Sequence, residues 1–261
     1  MKTPFILIVM PFKNEAPLII EFIRSMFKSY VTGFSYTLVL WDDGSREDEL
    51  NFLYSNIDKI IPIIKHDNLG YTLAVHNIMN YAKAQAEYDH LMIINSDIKF
   101  EQGTFFSLVK RSLSNPNAAA VGGKIIKYNG NEIIHTGTRV ENGQIVDPYC
   151  GLNRNDPKTN FVERRMWVNG AAILYKLDIL RKENLNFDLE FVPSYFEESD
   201  LMTRLNLMGY SVLYEPRAVV HHIQNATHNK ERNKYEQVFW GNWDKYLKKW
   251  KPYFGEKQLQ F

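Results

Sequence analysis

The first half of the chain alternates between short apolar runs and longer segments in which apolar and polar residues mix. The apolar runs are FILIVM, YTLVLW, IPIIK and HLMIIN, and they are rich in Ile, Leu and Val. Uninterrupted runs of this length are typical of strands that are covered on both faces. We therefore predict four buried strands in this half.

The segments between these runs show a helical spacing. The positions that carry it are Leu18, Phe22 and Met26, and then Leu73, Asn77, Met79 and Tyr81. Ser45 precedes the acidic segment REDELNFLYSN and is predicted to cap it as a helix. The resulting order is β-α-β-α-β-α-β, which implies a parallel sheet with right-handed crossovers.

The second half predicts further strands, two hairpins and a short helix. AAAVGGKII and WVNGAAILY are strand candidates, and the Asn-Gly pairs in YNGNEI and ENGQIV are typical of hairpin turns. Leu201, Leu205 and Met208 mark one face of a helix that Gly209 ends. No repeat, linker or low-complexity segment divides the 261 residues, so we expect one compact domain.

Composition and charge narrow the classes of partner. The formal net charge of +1 gives no general attraction to nucleic acid or to an anionic membrane. Cys150 is the only cysteine, which excludes an intramolecular disulfide and a zinc site built on cysteine pairs, and favours a reducing, cytoplasmic location. The first apolar run is too short for a membrane span and lacks the features of a signal peptide.

Three of the predicted strands end in polar residues. The segments are PFKNE, WDDGS and NSD, and in a parallel sheet they leave at the same edge, where ligands bind. The sequence has neither the Gly-x-Gly-x-x-Gly nor the P-loop pattern that cradles phosphates. Asp97 is therefore a candidate ligand for a hard cation that would neutralise a diphosphate. Its alternative role is that of a loop carboxylate that caps the next segment.

Two adjacent acids follow the second strand. Asp42 and Asp43 precede Gly44 and Ser45, a composition that is ordinary for a turn and a helix N-cap. Alternatively, one carboxylate accepts a hydrogen bond from a nucleotide base or ribose while the other caps the helix. The sequence leaves both interpretations open.

Three acids crowd the stretch FEESDL, from Phe196 to Leu201. Glu197, Glu198 and Asp200 at a helix start stabilise it through the helix dipole, by roughly 0.3 to 1 kcal/mol each. The apolar neighbours indicate a second role, because desolvation raises the pKa of a carboxyl group towards that of a general base.

Two histidines end the last predicted strand, in the segment EPRAVVHH. Neighbouring side chains on a strand point to opposite faces, so at most one of His221 and His222 points into a site. The register of the strand decides which one, and a slip of one residue exchanges them.

The order of these segments resembles that of the inverting nucleotide-sugar glycosyltransferases of family 2. The segments are PFKNE, WDDGS, NLGYTLAVHN, NSD, VNGAAILY, FEESDLMTRLNLMGY and EPRAVVHH, and the match runs from Phe5 to His222. The chain looks most like the rhamnosyltransferase or galactofuranosyltransferase-like branch. The resemblance implies a GT-A fold, a single Rossmann-like α/β domain whose mainly parallel central sheet is flanked by helices, with a small hairpin region and a C-terminal helix.

The resemblance also implies a division of the chain. Residues 1–224 are expected to form the catalytic domain, with a nucleotide-binding half (1–100) and an acceptor-binding half (101–224). Residues 225–261 are expected to form a helical extension packed on it, with contact to a membrane that carries a lipid-linked acceptor as the alternative. The aromatic and apolar residues at helical spacing are Trp240, Trp243, Tyr246, Leu247 and Trp250.

For the donor, the resemblance implies a nucleoside-diphosphate sugar of the UDP or dTDP type. The implied binding residues are Pro11, Phe12, Asn14, Glu15, Asp42, Asp43, Asn68, Gly70, Asn95, Ser96 and Asp97. Asp42 is expected at the base edge. Asp97 and His222 are the implied ligands of Mn²⁺ or Mg²⁺, and Asn95 replaces the first Asp of the family's Asp-x-Asp pattern.

For the acceptor, the resemblance implies Glu198 as the general base, with Asp200 as the fallback. The pattern that follows the base is completed by Arg204, Gly209 and Tyr210. The residues expected near the donor sugar and the acceptor are Trp167, Asn169, Gly170 and Glu197. The hairpin region, residues 128–165, is expected to shape the acceptor cleft.

The implied reaction is the metal-dependent transfer of one sugar, with inversion, to a hydroxyl of a glycan or lipid-linked acceptor. A Gln-x-x-Arg-Trp sequence is absent, which argues against a processive synthase. One rival function is that of a sugar-phosphate nucleotidyltransferase, although its glycine-rich first loop is missing. The other is that of a non-catalytic carbohydrate-binding protein on the same fold.

Overall fold

A computed structural model describes residues 3–29, 33–223 and 232–259. The strands are β1 (Phe5–Phe12), β2 (Ser35–Asp43), β3 (Ile63–His66), β4 (His90–Ile94), β5 (Ile98–Phe100), β6 (Ala118–Lys127), β7 (Ile133–His135), β8 (Arg139–Glu141), β9 (Gln144–Val146), β10 (Glu163–Arg164), β11 (Ala172–Lys176) and β12 (Ser211–His222). The α-helices are α1 (Ala16–Ser29), α2 (Glu47–Asn56), α3 (Tyr71–Ala84), α4 (Thr104–Leu113), α5 (Leu177–Lys182), α6 (Glu197–Leu207) and α7 (Arg232–Trp250).

One large sheet organises the molecule, with the strand order β10-β12-β6-β11-β4-β1-β2-β3. Strand β1 is parallel to β2 and β4, β2 is parallel to β3, and β6 is parallel to β12. Strand β11 runs antiparallel to β4 and β6, between them. The predicted α/β fold with a mainly parallel central sheet is therefore confirmed, as is the β-α-β-α-β-α-β order of the first half.

The apolar run of β1 is continuous because the strand is covered on both faces. Leu7 and Val9 belong to the core on one side of the sheet, and Ile6, Ile8 and Met10 belong to the core on the other. Alternate residues of a strand point to opposite faces, so a strand between two helical layers needs apolar residues at every position. Helix α3 packs in the first core and α1 in the second.

Two local predictions were wrong. Ser45 does not cap α2, because the N-cap residue is Arg46 and no side chain caps the helix. The Ser45 hydroxyl instead accepts a hydrogen bond from the backbone N–H of Asn14, at 2.6 Å. Met208 does not lie on the buried face of α6, since it follows the helix and half of its surface is exposed. Gly209, at φ +88°, does end the helical segment.

The two Asn-Gly segments both form hairpin turns. Asn142 and Gly143 join β8 to β9, and both have positive φ, which the tight turn requires. YNGNEI joins β6 to β7. In its turn the N–H of Gly130 donates a hydrogen bond to the carbonyl of Lys127. Of WVNGAAILY only the part from Ala172 onward belongs to a strand, β11, while Trp167 makes an isolated bridge to Thr138.

Helix α7 packs on the body of the protein through one face. Tyr246 is fully buried, its hydroxyl lies 2.7 Å from that of Thr203, and its ring meets Trp167 edge-on. Asn242 is also buried and donates to the carbonyls of Phe191 and Ser194, at 2.7 and 2.8 Å.

The boundary predicted at residue 224 lies outside the described residues. Within those residues, no helix is both long enough and apolar enough to cross a bilayer.

Candidate active site

The loops after β1 and β2 are tied together at the carboxyl edge of the sheet. Asn14 and Glu15 both have positive φ, 63° and 65°, which turns the chain sharply from β1 into α1. The backbone N–H of Asn14 donates to Ser45, and its side-chain oxygen accepts from the N–H of Arg46, at 2.9 Å. A positive φ is energetically unfavourable for residues other than glycine. Here the hydrogen bonds of Asn14 to the loop after β2 stabilise it.

The same turn is connected to the loop after β4. The Ser96 hydroxyl donates to the carboxylate of Glu15. The N–H of Asn95 donates to the carbonyl of Ala171, at 3.0 Å, and the Asn95 side-chain oxygen is buried without a hydrogen-bond partner among the described residues. Of the residues predicted for nucleotide binding, Pro11 and Phe12 are buried below these loops, and Phe12 belongs to the core.

The adjacent acids Asp42 and Asp43 are both buried, and neither caps a helix. Asp42 accepts through Oδ1 from the N–H of Ser45, at 2.8 Å. Asp43 accepts through Oδ1 from Leu69 and through Oδ2 from Gly70, at 2.8 and 3.0 Å. Oδ2 of Asp42 accepts no hydrogen bond from any described residue. The expectation that one acid caps the helix was therefore wrong, because Asp43 anchors the following loop instead.

The loop that Asp43 anchors leads directly into α3. Asn68 is exposed, and Gly70 is the N-cap residue at φ +84°, a conformation that glycine adopts without strain. A Cβ on Gly70 would lie 3.3 Å from Pro193. The loop is thereby packed against the segment that precedes α6.

Asp97 and His222 lie side by side. The Oδ1 atom of Asp97 is 3.1 Å from Nε2 of His222, and both side chains are mostly buried. The two residues meet because β5 pairs with β12, with Ile98 opposite His222, and because the N–H of Ile223 donates to the carbonyl of Asp97. The pairing of β5 with β12 therefore brings together residues that are far apart in the sequence.

His221 faces the other side of β12. Its Nδ1 lies 2.9 Å from the carbonyl of Tyr128, and its Nε2 lies 2.9 Å from Oε1 of Glu101. The Glu101 carboxylate is also paired with Arg154, and the pKa of Glu101 is lowered to about 2, chiefly by the Arg154 hydrogen bond. His221 thus belongs to a structural network, and His222 is the histidine beside Asp97.

Glu198 lies at the start of α6, after a strained turn. Tyr195 and Phe196 precede it at φ 76° and 71°. The Oε1 atom of Glu198 accepts a hydrogen bond from the N–H of Gly170, at 3.0 Å. A Cβ on Gly170 would lie 2.6 Å from that oxygen, so the close approach requires glycine. The predicted acceptor residue Gly170 is therefore a direct support of the Glu198 carboxylate.

A small cavity, partly open to solvent, lies against Glu198. Apart from Glu198 and Gly170, its lining is apolar and aromatic: Tyr71, Val75, Ile93, Ile173, Tyr175 and Phe187. Burial, and then the charges of Glu198 and Glu197, raise the pKa of Tyr71 well above its usual value, and Asp97 contributes to the same shift. Gly170, which donates to Glu198, is followed by Ala171, whose carbonyl accepts from the N–H of Asn95, so Glu198 and the loop that carries Asp97 meet at the carboxyl end of β4.

The other two acids of α6 are turned into the protein. Asp200 is fully buried, and its carboxylate accepts from Arg204 and from the indole N–H of Trp250, at 2.8 and 2.9 Å, and pairs with Lys249. Glu197 is 1% exposed and accepts from the hydroxyl of Thr72, at 2.9 Å. Burial, followed by the charge of Glu198, raises the pKa of Glu197 well above its usual range.

Two further predicted residues also serve the packing. Trp167 is buried against Tyr246, whereas its neighbour Asn169 is partly exposed. Tyr210 donates to Glu183, at 2.6 Å. The sequence interpretation missed Tyr71, Thr72 and Tyr175, which surround the two glutamates. The sequence offered a clue to two of these residues, because Tyr71 and Thr72 directly follow Gly70 in the NLGYTLAVHN segment, which was already assigned to the site.

Comparison with known proteins agrees with this architecture. The sequence model of the family described as Glycosyl transferase family 2 matches residues 7–173. The chain is 20% identical over 236 residues to the uncharacterized protein y4gI of Sinorhizobium fredii, covering 88% of this chain and 25% of that protein. It is 22% identical over 185 residues to the poly-beta-1,6-N-acetyl-D-glucosamine synthase of Staphylococcus epidermidis, covering 70% of this chain and 41% of the synthase.

Solved structures share the fold at low sequence identity. A mannosyltransferase from Pyrobaculum calidifontis, PcManGT, in complex with GDP-Man and Mn²⁺, superposes with a TM-score of 0.65 at 17% identity, over 99% of this chain and 72% of that one. GalNAc-T7, with UDP, GalNAc and Mn²⁺, gives a TM-score of 0.65 at 16% identity, over 85% of this chain and 44% of that one. The chain spans less than half the length of the two named curated relatives. Because the family model covers more than half of the sequence, the chain belongs to glycosyl transferase family 2.

Proposed function

We propose that the protein is an inverting, non-processive glycosyltransferase that moves one sugar from a nucleoside-diphosphate sugar, of the UDP or dTDP type, to a hydroxyl of a glycan or lipid-linked acceptor. One observation carries the proposal: Glu198 is bonded to Gly170, the next residue Ala171 is bonded to Asn95, and the Asp97–His222 pair lies in the loop that Asn95 begins, so these groups meet at the carboxyl end of β4. A base for the acceptor and a charge-bearing site for the leaving group are thus on the same side of the molecule. The rhamnosyltransferase or galactofuranosyltransferase-like branch remains part of the proposal.

The donor nucleotide is proposed to bind over the loops after β1, β2 and β4. Asp42 supports this, since its Oδ2 is left for an outside donor such as a base N–H, while Asp43 holds the neighbouring loop. The unpartnered oxygen of Asn95 offers another acceptor at the same edge. PcManGT and GalNAc-T7, which share the fold, hold GDP-Man and UDP respectively.

A divalent cation fits the donor set of Asp97 and His222. One carboxylate oxygen and one imidazole nitrogen already lie within 3.1 Å of each other. No third His, Cys, Asp or Glu joins them in the described part of the chain, so the diphosphate and water would complete the coordination. The imidazole favours Mn²⁺, although Mg²⁺ is retained in the proposal. When bound, the cation would neutralise the charge that develops on the departing nucleoside diphosphate.

Glu198 is proposed as the general base. Its carboxylate would take the proton of the acceptor hydroxyl as that oxygen attacks the anomeric carbon and the bond to the diphosphate breaks on the opposite face. The attack from the opposite face inverts the configuration. Asp200 does not suit this role, because Arg204, Lys249 and Trp250 occupy its carboxylate inside the protein.

The domain division is proposed in the same form: residues 1–224 as the catalytic domain and residues 225–261 as a helical extension packed on it. The buried residues Asn242, Tyr246 and Trp250 support packing of α7. Trp240, which is 60% exposed, is the residue through which α7 would touch a membrane. Flotation of the protein and of Trp240→Ala with anionic liposomes tests that contact, and equal, negligible flotation of both supports packing alone.

The proposal is tested with a panel of nucleotide sugars in the presence of Mn²⁺ or Mg²⁺. A correct donor raises the melting temperature by mass action, and an acceptor then releases nucleoside diphosphate. Release of inorganic diphosphate from a nucleoside triphosphate would indicate a nucleotidyltransferase instead. Absence of turnover with every donor and metal, despite sugar binding, would indicate a carbohydrate-binding protein.

A further inference from the structure

The chain enters α6 through a strained segment, residues 191–196, which we call the pre-α6 segment. Its last two residues, Tyr195 and Phe196, both have positive φ, 76° and 71°. Aromatic residues rarely adopt this conformation, so it persists only where the surrounding structure holds it. Phe196 is the N-cap residue of α6, and Glu198 follows it by two positions. The direction of the Glu198 side chain therefore depends on what holds the pre-α6 segment.

Helix α7 gives this segment two hydrogen bonds. The side-chain amide of Asn242 donates to the carbonyls of Phe191 and Ser194, at 2.7 and 2.8 Å. Both partners only accept, and the amide has two hydrogens, so each carbonyl receives one of them. Asn242 is 3% exposed, so solvent does not readily replace these donors if the side chain is lost.

The same helix packs against the two residues at positive φ. The ring of Tyr195 meets that of Phe239 edge-on, with their centroids 5.4 Å apart. The ring of Phe196 lies 5.3 Å from Trp243 and 5.7 Å from Tyr246, again between centroids. Contacts from α7 therefore reach both ends of the pre-α6 segment.

Helix α3 holds the middle of the segment. The backbone N–H of Thr72 donates to the carbonyl of Pro193, at 3.0 Å. The backbone groups that fix the entry to α6 are thus divided between α3, in the first half of the chain, and α7, near its end. The bonds from α7 depend on one side chain, that of Asn242, which can be changed without altering any backbone donor.

We propose that Asn242 is a positioning residue for sugar transfer: its amide fixes the pre-α6 segment and, through it, the carboxylate of Glu198. Helix α7 is then a part of the active-site scaffold. The Asn242 amide is occupied by backbone carbonyls, so it acts on the reaction through the geometry of Glu198. This inference rests on the proposed role of Glu198 as a base. The position of Glu198 itself, however, is measurable without any substrate.

Amide hydrogen exchange at Gly170 reports that position. Its N–H donates to Oε1 of Glu198, at 3.0 Å, so its protection depends on where the carboxylate lies. Asn242→Leu removes both donors to the pre-α6 segment. The Gly170 amide should then exchange roughly tenfold faster or more, because a hydrogen bond to a charged group is weakened. Wild-type protection of Gly170 in this variant would overturn the proposal.

Asn206→Leu is the matched control for this measurement. Asn206 is also buried, and its amide donates to the carbonyls of Arg165 and Met166, at 3.1 and 2.9 Å, but it lies towards the other end of α6. Its loss should lower the melting temperature to a similar extent and leave the exchange of Gly170 close to the wild-type rate. Equal acceleration in the two variants would mean general loosening and would refute a specific role of Asn242.

Transfer kinetics, measured below the melting temperatures of all variants, test the same role in the reaction. Asn242→Leu should lower kcat roughly ten- to hundredfold, because a small displacement of a catalytic group is costly, while the KM for the donor changes by less than about threefold. Asn206→Leu should keep most of kcat. A purely structural role of Asn242 would lower stability and leave kcat unchanged.

Asn242→Ala keeps the test decisive if Asn242→Leu does not fold. It removes both donors without adding bulk, and it should lower kcat and the protection of Gly170 in the same direction. Wild-type values of both quantities in a folded Asn242 variant would overturn the proposal. Absence of turnover in the wild type would instead refute the proposed function and leave the exchange result standing.

Discussion

Two pairs of adjacent acids, Asp42–Asp43 at the end of β2 and Glu197–Glu198 at the start of α6, are held in different ways. Asp42 and Asp43 receive backbone N–H groups from Ser45, Leu69 and Gly70, at 2.8 to 3.0 Å. Glu198 accepts one backbone N–H, from Gly170, beside an apolar cavity, whereas Glu197 is buried and accepts one hydroxyl, from Thr72. At Glu197, burial and then the charge of Glu198 raise the pKa of the carboxyl group well above its usual range. The donors around each acid therefore distinguish the two pairs, although all four side chains are carboxylates.

The largest effect is expected for Glu198, the proposed base. Glu198→Gln keeps the shape of the side chain and removes the proton acceptor, so transfer should fall by about 10²- to 10⁴-fold while the donor still binds. Initial rates and donor-induced thermal shifts check the two parts. Near-normal turnover in this variant would show that Glu198 is not the base.

The aspartate pair should report on stability. Asp43→Ala removes the acceptor of two backbone N–H groups, so the free energy of unfolding should fall by about 3 kcal/mol. Asp42→Ala, the matched control, loses one such bond and should cost about half as much, but it should also raise the KM for the donor. Urea unfolding and donor titration measure these changes. Equal losses of stability in the two variants would contradict the anchoring role of Asp43.

The adjacent histidines His221 and His222 test the proposed metal site. His222→Ala removes the nitrogen beside Asp97 and should weaken Mn²⁺ activation at least about tenfold. His221→Ala leaves that site intact and should change only stability, through Glu101 and Tyr128. Activity titrated against Mn²⁺ tests both. A similar loss of metal affinity in His221→Ala would count against the pairing of Asp97 with His222.

The smallest effect on stability is expected at Asp200, the third acid of α6. Trp250→Phe removes the indole N–H that Asp200 accepts, but Arg204 and Lys249 remain, so stability should fall by about 1 kcal/mol. Trp240→Phe, on the exposed part of α7, should change stability by less than about 0.5 kcal/mol. Chemical unfolding compares the two. Equal stability of the two variants would show that the hydrogen bond from Trp250 to Asp200 does not stabilise the packing of α7.

The sequence predicted the main features of the fold because its strongest signals are local. The side chains of FILIVM pack into the cores on both faces of the sheet. Because the run therefore does not alternate between apolar and polar residues, it predicted a strand between two helical layers. The Asn142–Gly143 turn was predictable because its backbone needs positive φ at both residues. Ser45 was mispredicted as a cap because its hydroxyl is engaged by Asn14, a residue far away in the chain.

Some features of the candidate site follow from local sequence, and others depend on residues that are distant in the chain. The sequence alone determined that acids follow buried strands at one sheet edge, that three acids begin α6, and that one histidine of a pair can face them. Only the tertiary structure decided that His222 and not His221 meets Asp97, since β5 pairs with β12 beyond a register shift at residues 216–218. It also decided that Asp200 and Glu197 turn inward while Glu198 faces the cleft. The reason is physical: charge and accessibility depend on donors and apolar walls supplied by Gly170, Thr72 and Trp250, and no spacing within α6 encodes them.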